Sequence, residues 1–118
     1  MFVSGTSLTP IDFAGLRILD YTAGHDLSAS VAVIDVPAGG RHAEAWSKRS
    51  DKYYLVIAGA IQFVLDGIER ELSTGDFCWV PQGSRFRYSN PGITLAKLVL
   101  VHAPNFELAQ EVFVESPR

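Results

Sequence analysis

Few side chains in this 118-residue chain are suited to chemistry, and they fall into two groups. The first is the three histidines, His25, His42 and His102, since an imidazole titrates near neutrality and can serve as acid, base or metal ligand. His102 ends an apolar run just before Pro104 and is the best general-base candidate of the three, with local hydrogen bonding as the plainer role. His25 belongs to the turn Ala23-Gly24-His25-Asp26 and is expected to be exposed. His42 and Glu44 stand two residues apart, so on a strand they share a face. The second group is Lys52 and Tyr54, which share strand parity with Val56, and Ser84, Phe86 and Tyr88, which share parity with one another. An ammonium, several hydroxyls and aromatic walls brought together would bind a small organic ligand, one carrying a carbonyl or an anionic group. A buried ammonium is costly alone. Lys52 should therefore lose its proton, pair with a carboxylate such as Asp51 or Glu44, await an anionic ligand, or reach out to solvent.

These residues lie on a pattern of short apolar runs between turn signals, which predicts an all-β protein. Strands are expected at 16–21, 30–36, 52–58, 61–65, 68–72, 77–80, 85–89 and 94–102. Asp66-Gly67 is the strongest hairpin signal, because a type I′ turn needs positive φ at both central positions. The Pro37-Ala38-Gly39-Gly40 and Pro81-Gln82-Gly83 stretches are expected to be sharp loops bracketing the pocket. Only 106–114 offers a short helix, with a C-terminal strand or tail as the alternative. No linker, repeat or charge block divides the chain, so residues 1–118 are expected to form a single domain. The runs at 53–58 and 98–101 are apolar at both parities, which predicts cover on both faces. A second subunit is one source of that cover, and a homodimer is expected.

A formal charge of -3 and a pI near 5.5 argue against a nucleic-acid partner, which calls for clustered Lys and Arg. The single Cys78 rules out an internal disulfide framework and, between Phe77 and Trp79, suggests a packed thiol. No secretory signal and no apolar run of about 20 residues is visible, so a cytoplasmic protein without a membrane partner is expected. Arg85 and Arg87 should form a solvated edge; Arg41 and Arg49, nearer the pocket mouth, could attract an anion. Trp46 and Tyr53 are expected in packing or an interface.

Gly39, Gly59, Gly75, Pro81, Gly83 and Asn90 stand at the spacing of two motifs, and this pattern resembles the cupin family over roughly residues 31–106. The resemblance implies a double-stranded β-helix, or jelly-roll barrel. It also implies that the family's four metal-ligand positions fall on Ala45, Ser47, Lys52 and Phe86. A methyl, an un-ionised hydroxyl, an ammonium and a phenyl ring make no metal site, so neither metal nor other cofactor is expected. His42 and Glu44 offer a displaced site, but their parity is opposite to that of Ala45 and Ser47. They should point outward unless a bulge intervenes.

Because the resemblance places Lys52 on the inner face, the ligand-binding candidates are Ala45, Ser47, Lys52, Tyr54, Phe86 and Tyr88; no catalytic residue is assigned. The leading expectation is a metal-free barrel that binds a small organic ligand in its central cavity. The alternative is a metal-independent isomerase, epimerase, lyase or cyclase acting on a carbonyl or sugar-type substrate. In it Lys52 steadies developing negative charge while Tyr54 or Tyr88 exchanges a proton. A metal-dependent enzyme with displaced ligands is the third possibility.

Overall fold

Asp66 and Gly67 adopt φ of 49° and 82°, so the expected type I′ turn forms and sets Leu65 opposite Ile68. From that hairpin outward, the computed structural model, which describes residues 1–114, is built from strands. In chain order they are β1 (Ile11–Phe13), β2 (Leu16–Asp20), β3 (Ser30–Val36), β4 (Arg41–Ser47), β5 (Asp51–Ala58), β6 (Ala60–Leu65), β7 (Ile68–Ser73), β8 (Phe77–Val80), β9 (Phe86–Ser89), β10 (Ala96–Ala103) and β11 (Glu111–Phe113). Two short 3₁₀ turns, Gly5–Ser7 and Leu108–Gln110, complete the regular structure. Among the described residues no helix is long and apolar enough to cross a membrane.

The strands form two sheets, β1-β2-β3-β10-β5-β8 and β11-β4-β9-β6-β7, facing each other as a jelly-roll barrel. Side chains alternate as a pleated strand requires: along β10, Ala96, Leu98, Leu100 and His102 are buried while their neighbours are less so. The core lies between the sheets, with Leu16, Ile34, Val36, Tyr54, Val56 and Leu98 from one and Ala45, Ile61, Phe63, Phe86 and Tyr88 from the other. Gly59 is required at the β5 to β6 corner. Its φ is +70°, and a Cβ there would sit 2.7 Å from the Leu95 carbonyl oxygen and 2.9 Å from Ala96 Cα. Asn90 locks the opposite loop, its side-chain amide donating to the carbonyls of Val36 (3.0 Å) and Thr94 (2.8 Å).

One expectation is revised and another is narrowed. The segment expected to offer a helix instead makes a single 3₁₀ turn and then β11, which pairs antiparallel with β4 and places Glu111 opposite Ser47. An open edge of β4 favours this, because a short strand satisfies its free backbone groups and a helix would not. The outer face of β5 and β8 is also uncovered within the chain: Leu55 and Ile57 are about 40% exposed, Phe77 57% and Trp79 50%.

Candidate functional site

Between the sheets a cavity of about 300 Å³ opens toward β1 and the segment that precedes β11. One wall is apolar, from Phe13, Leu16, Ile18 and Ile34, and the rim is made by Ile11, Phe106, Leu108 and Phe113. The polar groups come from seven strands: Asp20 from β2, Ser30 from β3, His42 from β4, Lys52 and Tyr54 from β5, Tyr88 from β9, His102 from β10 and Glu111 from β11.

His42 reaches this cavity through a bulge. In the ladder of β4 with β9, His42 pairs with Tyr88 and Ala45 with Phe86, so three steps along β4 match two along β9. The extra residue turns His42 to the same side as Ala45 and corrects the outward direction that plain alternation predicts. Glu44 does point outward, where its carboxylate accepts from the guanidinium groups of Arg87 (3.1 Å) and Arg85 (3.5 Å).

The bulge also fixes the imidazole's tautomer. His42 Nδ1 lies 2.6 Å from the Ala43 carbonyl oxygen, which can only accept, so Nδ1 carries the hydrogen and Nε2 keeps its lone pair. The ring packs against Phe86 (5.0 Å between centroids), Tyr88 (5.2 Å) and Phe13 (5.6 Å). Burial among these rings, helped by the Lys52 charge, lowers its pKa to about 4 against the opposing pull of the Ala43 bond and Glu111. At neutral pH, then, His42 is an unprotonated base.

Lys52 resolves its burial by pairing with a carboxylate, one of the routes expected, but with a partner that the sequence did not single out. Its Nζ donates to Glu111 Oε1 at 2.6 Å and to His102 Nε2 at 2.9 Å, with both charged side chains less than 5% exposed. Neither Asp51 nor Glu44 is the partner. Asp51 instead accepts from the Gln82 amide (2.8 Å) and the Trp79 indole (3.3 Å). Burial pushes the Lys52 pKa down and the Glu111 carboxylate pulls it back up. The Phe86 ring, with its centroid 5.5 Å from Nζ, adds a favourable face. His102 is kept neutral, its pKa lowered to about 3 first by burial and then by Lys52. Its bond therefore runs across strands, where local bonding was the simpler expectation.

Tyr54 and Tyr88 face each other edge to face at 5.7 Å. Burial raises both pKa values, so both phenols stay protonated. Two buried polar atoms of the cavity wall have no hydrogen-bond partner: the Tyr88 hydroxyl and Glu111 Oε2.

Of the six residues proposed as ligand-binding from sequence, Lys52, Tyr54 and Tyr88 line the cavity. The other three sit behind it. Ala45 is buried between Phe86 and Phe113 in the ladder; Phe86 packs against Phe63, Tyr54 and His42; the Ser47 hydroxyl accepts from the amides of Arg49 (3.1 Å) and Ser50 (2.9 Å). Arg41 is exposed, and Arg49 is bound to Asn105 and Glu107; neither lines the cavity. Glu111 was not foreseen, and the inward turn of His42 follows the exception allowed for a bulge. The only signal for Glu111 was indirect, namely that a buried lysine demands a carboxylate somewhere.

A methyl, a hydroxyl already engaged with backbone, a paired ammonium and a phenyl ring do not fit the metal that such barrels commonly hold. Among the described residues no three His, Cys, Asp or Glu side chains group to hold a metal ion.

A family model described as a cupin domain matches residues 32–102. Protein SchB of Streptomyces halstedii is 31% identical over 87 residues, which span 74% of this chain and 63% of SchB. Among solved structures, Pac13, described as a unique nucleoside dehydratase, superposes with a TM-score of 0.84 at 24% identity, covering 98% of this chain and 91% of that one. A histidine-to-glutamine variant of Streptomyces Pac13 with uridine gives 0.81 at 25% identity, with 95% and 88% covered. An RmlC-like cupin from Shewanella frigidimarina gives 0.76 at 20% identity over 87% and 89%. With the matched family model spanning more than half of its length, this chain belongs to the cupin family.

Proposed function

We propose that this protein is a metal-independent lyase that removes water from a small hydroxylated carbonyl compound of sugar or nucleoside type. One observation carries the proposal: a neutral imidazole with its Nε2 lone pair fixed stands beside two protonated tyrosines in a largely apolar cavity. Pac13 lends support, since its histidine-to-glutamine variant and two tyrosine-to-phenylalanine variants were solved with uridine, and this cavity combines the same side-chain types.

In the reaction, His42 Nε2 takes the proton from the carbon beside the carbonyl. The C–H electron pair becomes the new C=C bond, and the hydroxyl on the next carbon departs. That hydroxyl takes a proton from Tyr54, Tyr88 or the imidazolium and leaves as water, and the phenol, if used, is restored from the imidazolium. Lys52, with two of its three donors engaged, keeps its charge near the cavity as the enolate develops.

The test is to incubate the protein with hydroxy-aldehydes and hydroxy-ketones of sugars and nucleosides in D₂O, following products by NMR. Dehydrated product, or deuterium exchange at the carbon beside the carbonyl, is expected with the native protein and absent with His42→Gln. A ligand that raises Tm with neither exchange nor product would instead favour a pure binding protein.

The same face that stays uncovered on β5 and β8 supports a homodimer as the assembly, and light scattering giving a monomer mass at micromolar concentration would refute it. The lone thiol Cys78, packed against the core, suits a cytoplasmic setting.

A further inference from the structure

We infer that the cavity selects neutral, hydroxyl-bearing ligands over their phosphorylated counterparts, with the free oxygen of Glu111 accepting a hydrogen bond from a ligand hydroxyl. The inference rests on the proposal that this cavity is the ligand site.

The charges on the wall decide the sign of what can enter. Lys52 is the only cation among the described lining residues other than the two histidines, both held neutral, and its ammonium is matched by Glu111 at 2.6 Å. Asp20 is the remaining charged group of the lining, its Oδ1 accepting from the Thr22 amide (3.1 Å) and hydroxyl (3.3 Å). With one cation and two carboxylates, the lining carries a formal charge of -1. A phosphate entering here would shed its water and meet no uncompensated positive charge.

The lining instead asks for a donor. Glu111 gives one oxygen to Lys52, while Oε2 is buried with no partner; the Tyr88 hydroxyl, also on the wall, is likewise unpartnered. A buried acceptor without a protein partner is costly, and a ligand donor would relieve that cost. A ligand hydroxyl satisfies Oε2 as donor, and a second ligand oxygen satisfies the phenol. A carboxylate or phosphate dianion cannot fill the first of these roles, because it has only lone pairs to offer Glu111. The Lys52 ammonium, for which an anionic ligand was one of several expected partners, is already paired with Glu111.

Calorimetric titration of the untagged protein with matched pairs tests this: uridine against uridine 5′-monophosphate, and D-ribose against ribose 5-phosphate. The neutral member of at least one pair is expected to bind, and its phosphate ester at least roughly tenfold more weakly. In Glu111→Gln, with folding checked by circular dichroism, that gap should close or reverse, since Lys52 is left uncompensated. The inference fails if a phosphate ester binds the native protein as tightly as its neutral partner. It also fails if no neutral member binds up to about 10 mM. Because binding and not turnover is measured, loss of the lyase proposal would leave this result standing, and a dehydration confined to phosphorylated substrates would sink only the charge selection.

Discussion

Glu44 and Glu111 lie on the paired strands β4 and β11, yet they occupy opposite regimes. Glu44 faces outward and accepts from two arginines at 3.1 and 3.5 Å, each about half exposed. Glu111 faces inward, holds Lys52 at 2.6 Å and is 3% exposed. Both are carboxylates bonded to cations, but in water the attraction is screened and on the inner face it is not. Ion pairs on one pair of strands therefore teach different lessons: the inner one constrains the site and the outer one decorates the surface.

The sharpest way to break that contrast is Glu111→Ala. Removing one partner of a buried pair strands the other charge, and a loss of about 3–5 kcal/mol in chemical denaturation is expected. The loss should shrink as pH rises. With the carboxylate gone, burial alone acts on Lys52 and keeps its folded pKa below its unfolded value, so the folded state binds fewer protons and gains stability as pH increases. A loss under about 1 kcal/mol would mean that the inner pair is no different from a surface one.

Next in size is His42→Gln, expected to lower turnover by about 10²- to 10⁴-fold as a general base is lost, with little change in fold. The tautomer argument adds a pH signature. Activity should be level near neutrality and fall only as pH approaches about 4, where Nε2 takes up a proton. A profile that instead falls through pH 6.5 would show an ordinary, solvated imidazole. Stability should follow the same direction. His42 and His102 both have folded pKa values below the unfolded value of 6.5, so the unfolded chain binds more protons as pH drops, and folding stability is lost between about pH 6.5 and 3.

How much of this was visible in the sequence differs between the two sheets. In the six-stranded sheet the register slips only at the far end of β5, between Val56 and Ala58, so alternation holds where it matters: β5 was expected at 52–58 and places Lys52 and Tyr54 together on the wall, and β3 runs over the 30–36 expected for it. The jelly roll itself was implied by the family resemblance that the glycine and proline spacing carries, and Gly59, one of those positions, has no room for a side chain. The five-stranded sheet was less legible. His42 depends on a bulge, and one inserted residue reverses the face of everything before it without leaving a mark in composition. Glu111 depends on a contact 59 residues away from Lys52, on a three-residue strand too short for periodicity to reveal. Phe86 is buried on the same side of β9 as Tyr88, as their shared parity implied, but its ring packs against other rings and the cavity is lined by Tyr88 instead.

Tyr88→Phe separates function from stability on the inner face. Its hydroxyl is buried without a partner, so deleting it should leave stability unchanged or raise it by up to about 1 kcal/mol. Turnover, or affinity for a hydroxylated ligand, should nonetheless fall about tenfold, since the lost hydroxyl was free to serve a ligand. A stability loss with unchanged binding would assign that hydroxyl to the scaffold.

The smallest effect belongs to the outer face. Glu44→Ala removes two half-exposed contacts, and a change of about 0.5 kcal/mol is expected, fading further in high salt as screening grows. Ligand affinity should not move, because Glu44 lies on the far side of β4 from the cavity. If Glu44→Ala weakened binding as much as Glu111→Gln, the bulge would have to be aligned differently. His42 and Glu44 would then exchange faces, and the proposed base would stand in solvent.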